Sequence, residues 1–399
     1  MAHFLLAWEL GGGLGHAGRL KILAQELLAR GHRVSISLRD LVQPHRLMAD
    51  LDLPKFQSPV WLHKAMGLPP VQANLAEILF QCGYLDAEAL HGLVIGWRTL
   101  IQHVQPDLLV ADYAPTAILA ARSLGVRSAS VGIGFYSPPA GRALPSLRDW
   151  ETIPEARLRS SEARLVQTIN GILGQYGAAP MQHGADVLLG DLQLLCTWPE
   201  LDHYHRAAHE VAQWYGPTFL PQGGEAPLWP AGTGPKVFAY LKSGHPDHAE
   251  ILKALVAEGC SVLCYLPEVA GGMPPPVTSP LLRYAQAPVS LDAAYRDAAL
   301  CVCHAGEATL AQALLAGVPV LLLPMQAEQF LMSRQVQQSG AGINAAMLAR
   351  PLDWRQLLRQ MLGDSSYRSA AQDFASRYSG FSQQAQVRAL ADAFEANLG

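Results

Sequence analysis

The segment CVCHAGEATLAQALLAGVPVLLLPMQAEQF, residues 301–330, constrains the fold more than any other part of the chain. A short apolar run, Ala298 to Cys303, reads as a strand that enters His304-Ala305-Gly306, and a helix follows from near Ala308 and Thr309. The first N–H groups of a helix have no partner inside it, so this turn is a ready site for an anion such as phosphate. Gly317-Val318-Pro319 then breaks the helix, and a second buried strand, Val320 to Leu323, ends in Pro324 and delivers Glu328 and Gln329 to the same edge. Strand, helix and strand in this order make a parallel sheet, whose ligands bind at the carboxyl ends of the strands.

The first third alternates in the same way. Phe4 to Leu10 reads as a strand, a Gly-rich turn follows, and a helix from about Gly18 to Ala29 leads to a strand at Arg33 to Leu38. Asp107 to Val110 begins a strand that ends at Asp112, a helix runs to Leu124, and Arg127 to Val131 is a further strand. The fold class is therefore α/β with a doubly wound parallel sheet. Residues 140–213 read as more helical, and GPTFLPQGGEAPLWPAGTGP concentrates Gly and Pro as a linker. Beyond it come a strand at Lys236 to Leu241, a helix at Pro246 to Glu258 and a strand at Ser261 to Tyr265. The chain of 399 residues is too long for one ordinary core. It divides into a first domain over 1–215, a linker over 216–235, a second domain over 236–380 and a terminal helix over 381–399.

A net charge of −4, with no run of Lys or Arg, gives no electrostatic footprint for nucleic acid or an anionic membrane. The opening MAHFLLAWELGGGLGH lacks a basic region and reads as a first strand, and no segment reaches about 18 uninterrupted apolar residues. These features predict a cytoplasmic protein with at most peripheral membrane contact. The six cysteines form no CxxC pair and are expected as buried free thiols. In CVCH, strand alternation puts both sulfurs on one face and His304 on the other, against a metal site. Asp202-His203-Tyr204-His205 with His209 is expected as a solvated helical face, His205 and His209 lying at i, i+4.

Two readings compete for the Gly-rich loop. Gly13-Leu14-Gly15-His16-Ala17-Gly18 is literally GxGxxG, but a dinucleotide site also needs an acid at the end of the second strand. ISLRD ends in Leu38 and Arg39 ahead of Asp40, so only an NADP-dependent oxidoreductase using Arg39 stays open. Alternatively the glycines form a close-approach turn that presents His16. From the residues alone, His16 and Asp112 are either caps of the helices that follow them or a pair in which a carboxylate orients an imidazole.

At 301–343, together with Gly15-His16, the chain resembles the nucleotide-sugar-dependent glycosyltransferases of the two-Rossmann-domain (GT-B) type, the UDP-glycosyltransferase-like families 1 and 28. Their pattern is His-Gly-Gly-x-Gly-Thr-x-x-Glu-Ala-Leu, then Gly-x-Pro and Asp-Gln. Here Ala305 and Ala308 stand for glycines, Gln312 for the ribose-binding Glu, Glu328 for Asp and Met332 for Asn. The resemblance implies two facing Rossmann-like domains, with the last helix crossing back to the first domain, and transfer with inversion. It implies His16 as general base and Asp112 as its partner. An imidazole with a pKa near 6.5 takes a hydroxyl proton near neutral pH, and a carboxylate behind it fixes the tautomer and stabilises the imidazolium.

For the donor, the resemblance implies Gly15, Ser243, His304, Gly306, Glu307, Ala308 and Thr309 near phosphate, Gln312 near ribose, Gln286 to Val289 near the base, and Glu328 and Gln329 on the sugar. A helix start carries about half a positive charge, so no metal is called for. No cofactor is expected beyond the donor itself, a UDP-sugar or, since Gln312 is neutral, a dTDP-sugar. The acceptor is a small or lipid-like alcohol. Trp61, His63, Phe80, Tyr84, Trp97, Phe135 and Tyr136 either line its pocket or belong to the core. A monomer or homodimer is expected. A catalytically inactive sugar-nucleotide-binding protein of the same fold is the other alternative.

Overall fold

The computed structural model describes residues 1–220 and 223–398. Pro221 and Gln222 of the expected linker and the terminal Gly399 lie outside the described residues. The chain forms two compact units, Met1–Thr218 with Gln383–Gly399, and Phe219–Ser382.

The amino unit contains β1 (His3–Trp8), α1 (Leu14–Ala29), β2 (Arg33–Leu38), β3 (Lys55–Gln57), α2 (Leu75–Leu79), α3 (Ala87–Val104), β4 (Leu108–Asp112), α4 (Pro115–Leu124), β5 (Ser128–Gly132), α5 (Glu155–Gln175), α6 (Asp186–Leu189) and β6 (Leu192–Leu195). The carboxyl unit contains β7 (Lys236–Tyr240), α7 (His248–Ala257), β8 (Ser261–Tyr265), α8 (Pro267–Ala270), β9 (Leu282–Tyr284), α9 (Leu291–Asp297), β10 (Leu300–Cys303), α10 (Glu307–Leu315), β11 (Val320–Leu322), α11 (Ala327–Gln338), β12 (Gly342–Asn344), α12 (Trp354–Gly363) and α13 (Ser365–Arg377). The last helix, α14 (Gln383–Ala396), belongs to the amino unit.

Each unit holds a six-stranded parallel sheet, ordered β3-β2-β1-β4-β5-β6 and β12-β11-β10-β7-β8-β9. The order reverses between β1 and β4 in one sheet and between β7 and β10 in the other. A crevice opens at such a reversal because the two neighbouring strands send their connections to opposite faces. The strands beside it, such as HFLLAW and LCVC, are buried along their whole length, as strands covered on both faces by helices must be.

The amino core packs Phe4, Leu23 and Leu27 with Val387, Leu390, Ala391 and Phe394 of α14. Burying each large side chain contributes roughly 1.5–3 kcal/mol. The Gln386 amide donates to Gly216 O at 2.6 Å and to Thr218 Oγ1 at 2.9 Å, fixing α14 against the end of the unit's main segment. Val237, Ile251, Leu300, Leu321 and Leu358 belong to the separate core of the carboxyl unit.

Several expectations are corrected. The helix α1 starts at Leu14 rather than Gly18, because Gly13 takes φ 87° and serves as its cap. Residues 176–213 are largely irregular, with only α6, β6 and two single 3-10 turns, Pro199–Leu201 and Ala208–Glu210. His205, at φ 50°, cannot continue a helix, so His205 and His209 share no helical face. Val289 bridges Glu225, so part of the expected linker pairs with the carboxyl unit. Among the described residues no helix is long and apolar enough to cross a membrane.

Candidate active site

In the amino unit the reversal falls between the ends of β1 and β4, where Trp8 and Asp112 are register partners. Beyond Trp8 the chain must double back into α1 at once, and Gly11 makes this possible in two ways. Its φ is +77°, and a Cβ there would lie 2.6 Å from His16 Nε2. His16 therefore stands on the first turn of α1, stacked on Trp8 with ring centroids 5.3 Å apart.

His16 Nδ1 donates to Asp112 Oδ1 at 2.9 Å. Tyr136 OH donates to the same oxygen at 2.6 Å, and Arg19 Nη1 donates to Oδ2 at 2.9 Å and to Tyr136 OH at 2.8 Å. Asp112 is 0% exposed. Burial pushes its carboxyl up, but Arg19, His16 and Tyr136 outweigh burial and hold it well below the usual carboxylate range. The carboxylate fixes His16 with Nδ1 as donor, which leaves Nε2 to act as an acceptor of protons. Neither residue caps a helix: Gly13 and Ala114 occupy the cap positions of α1 and α4, without side-chain caps. Arg19 and the Tyr136 hydroxyl were not read as part of this cluster from sequence. A signal existed in Arg19, which lies three residues after His16 and hence on the same face of the helix. Tyr136 needs Gly132, where a Cβ would lie 2.2 Å from its ring.

In the carboxyl unit the reversal falls between β7 and β10, and the site there is made chiefly of backbone. Ala305 takes φ 57°, a left-handed conformation unusual for a residue other than glycine. Gly306 is the cap residue of α10, and the backbone ladder begins with Leu310 N–H to Gly306 O at 3.0 Å. The N–H groups of residues 307–309 thus precede the ladder. The expected phosphate-donating role of His304 changes. Its Nδ1 donates to Leu323 O at 2.7 Å and its Nε2 accepts Lys242 N–H at 2.9 Å. Burial keeps the ring's pKa below its ordinary value. His304 is therefore a neutral tie between the loops after β7, β10 and β11, with no donor left for phosphate.

Gly306, Glu307, Ala308 and Thr309 form the start of α10, and Gln312 lies one turn on, its amide donating to Ala308 O at 3.0 Å. Ser243 follows β7 on the same edge, with its N–H donating to Glu268 Oε1 at 3.2 Å. Glu328 and Gln329 lie in the first turn of α11, where Gln329 Oε1 accepts Met325 N–H at 2.9 Å. Gln286 is exposed after β9, and Val289 is buried and bridges Glu225. Gly15 lies in the amino unit beside His16. Among the aromatics proposed for an acceptor pocket, Phe80, Tyr84, Trp97, Phe135 and Tyr136 are buried. The irregular 202–206 segment is structural: Asp202 and Arg206 form a buried ion pair, and Arg206 also donates to Ser137 O. Among the described residues no group of three His, Cys, Asp or Glu side chains is arranged for a metal. Arg39, the residue on which a 2′-phosphate reading depends, donates instead to Glu9 O at 2.8 Å.

Residues 282–385 match the family described as erythromycin biosynthesis protein CIII-like, C-terminal domain. The PGL/p-HBAD biosynthesis rhamnosyltransferase of Mycobacterium bovis is 26% identical over 397 residues, covering 89% of this chain and 86% of the relative. The structure of the kitacinnamycin glycotransferase matches with a TM-score of 0.72 at 18% identity, covering 100% of this chain and 99% of that one. The spinosyn rhamnosyltransferase SpnG complexed with thymidine diphosphate matches with a TM-score of 0.66 at 19% identity, covering 97% and 99%. Two Rossmann-like sheets of one strand order and these structural neighbours show the GT-B fold, and residues 282–385 are similar to the EryCIII-like carboxyl domain.

Proposed function

We propose that the enzyme transfers a sugar from a nucleoside diphosphate to an acceptor hydroxyl with inversion, and that His16 Nε2 takes the hydroxyl proton. The supporting observation is the His16–Asp112 hydrogen bond of 2.9 Å. It fixes the tautomer in which Nε2 is unprotonated and sets a carboxylate behind the imidazolium that forms. As the acceptor oxygen bonds to the anomeric carbon, the bond to the diphosphate breaks, and the start of α10 stabilises the departing charge. Gly306, the backbone of residues 307–309 and the Thr309 hydroxyl hold the diphosphate. Gln312 faces ribose, Ser243 and His304 shape the phosphate turn, Gln286 and Val289 border the base, and Glu328 and Gln329 meet the sugar.

A dTDP-sugar is a donor alongside a UDP-sugar. The neutral Gln312 supports this, as do relatives named as rhamnosyltransferases and as bound to thymidine diphosphate. The acceptor is a small or lipid-like alcohol.

The test measures transfer and donor affinity, using UDP- and dTDP-sugars, for His16→Ala, Asp112→Asn and the double variant. His16→Ala should lower kcat by about 10² to 10⁴ while calorimetric donor affinity is unchanged. The double variant should be little slower than His16→Ala alone if both act on one proton transfer. A folded, fully active His16→Ala enzyme would refute the base assignment.

A further inference from the structure

Glu9 lies between Trp8, which stacks on His16, and Leu10. It is 0% exposed, and Arg39 reaches its backbone carbonyl rather than its carboxyl. The carboxyl points across the sheet. Its Oε2 accepts the Thr116 N–H at 2.8 Å, whereas Oε1 has no hydrogen-bond partner.

Thr116 is in the first turn of α4, the helix that follows Asp112. The cap position of α4 is Ala114 and its first residue is Pro115, so the helix has no local side chain to receive its leading N–H groups. Alanine is among the poorest residues at this position, well behind Ser or Asp. Glu9 supplies the missing oxygen from the neighbouring strand. A second bond, Leu10 N–H to Tyr113 O at 2.9 Å, joins the same two segments. Together they stitch the turn that carries His16 to the turn that follows Asp112.

We propose that Glu9 is a positioning residue which, by capping α4 from β1, sets the His16 turn against Asp112. It touches no substrate and acts through that pair, so its effect on turnover rests on the proposed role of His16 and Asp112. Burial pushes its carboxyl up to about 7, with the polar groups of Thr116 and Ala117 pulling the other way. The cap does not depend on the charge, because a protonated carboxyl still accepts through its carbonyl oxygen. The amide of glutamine has the same oxygen.

The experiment compares Glu9→Gln, Glu9→Ala and Glu9→Ala with Ala114→Ser, by steady-state transfer kinetics and by amide exchange at residues 113–118. Glu9→Gln should keep kcat within about threefold and leave Thr116 exchange unchanged. Glu9→Ala should lower kcat by about tenfold or more, since small displacements of a catalytic group are costly. Its donor KM should stay constant, and Thr116 exchange should quicken. Ala114→Ser, which gives α4 a cap of its own, should restore part of both losses. A folded Glu9→Ala with unchanged kcat and exchange overturns the proposal, as does a Glu9→Gln enzyme slowed as much as Glu9→Ala. Should Glu9→Ala not fold, Glu9→Gln decides: retained kcat and exchange support the cap, and a tenfold loss overturns it. Exchange at Thr116 reports on the cap even if His16 proves not to be the base.

Discussion

The two sheets share a strand order, yet the sites at their reversal points are built from different material. Beside β1 and β4 the site is a buried cluster of side chains, in which one carboxylate receives three donors from His16, Arg19 and Tyr136. Beside β7 and β10 it is backbone, with the start of α10 held in place by a histidine bonded only to main chain. A side-chain cluster concentrates its energy in a few replaceable groups. A backbone site spreads it over the fold, so substitutions reach it mainly through the shape of the loop.

The largest contrast should come from Arg19. Arg19→Met leaves Asp112 buried without its strongest counter-charge, and loss of one partner of a buried pair costs about 3–5 kcal/mol. Urea unfolding would measure this, and a loss below about 1 kcal/mol would show the cluster to be as tolerant as a surface pair. Asp112→Asn should also destabilise, because an amide must turn its NH₂ toward one of the three donors.

Acidity separates two of the buried carboxyls of the amino unit, Glu9 and Asp112. The carboxyl of Glu9 lies near 7 in the folded chain against an ordinary 4.5. The folded state therefore holds the extra proton between these values, and stability falls as pH rises through that window, by up to about 3 kcal/mol. Asp112 acts in the opposite sense: its lowered value adds stability above the ordinary carboxylate range that is lost as pH falls into the acid. Unfolding measured from pH 4 to 8 should show Glu9→Gln flattening the decline between pH 5 and 7. An unchanged slope would show that Glu9 does not titrate there.

At the carboxyl site, His304→Ala should weaken binding of the nucleoside diphosphate by roughly 1–3 kcal/mol, since it strands Leu323 O and Lys242 N–H and loosens the turn. His304→Asn, which keeps a donor and an acceptor, should recover part of this. Loss of affinity without any change in loop exchange would mean that the ring itself meets the ligand. The smallest effect should come from Ala305→Gly, where relief of the left-handed strain stabilises the chain by about 1 kcal/mol. A fall in melting temperature would place the preference for alanine elsewhere.

The same contrast decided what was readable in the sequence. A backbone site is written locally, as strand, turn and helix within 301–315, so the start of α10 is legible to within two residues of its position. The other cluster joins positions 16, 19, 112 and 136, which no local pattern connects. The glycine turn and the strand-end Asp112 pointed to part of it, and the role of Tyr136 emerged only when β5 was laid beside β4. The edge strands β3, β9 and β12 have three residues each, too few for alternation to reveal. His304 misled because its type suggested a ligand, whereas its partners, Lys242 and Leu323, come from two other strand ends.

The place of α14 in the amino core bears on the order in which the protein can be made. Leu390 and Phe394 pack with Phe4 and Leu27, yet they are translated only after the whole carboxyl unit. While a ribosome is still completing that unit, the amino sheet has an uncovered apolar stripe on which its final helix will later lie. The nascent chain is thus exposed to chaperone capture or aggregation for as long as residues 219–382 take to emerge, and slowing translation across that stretch should lengthen the exposure in proportion.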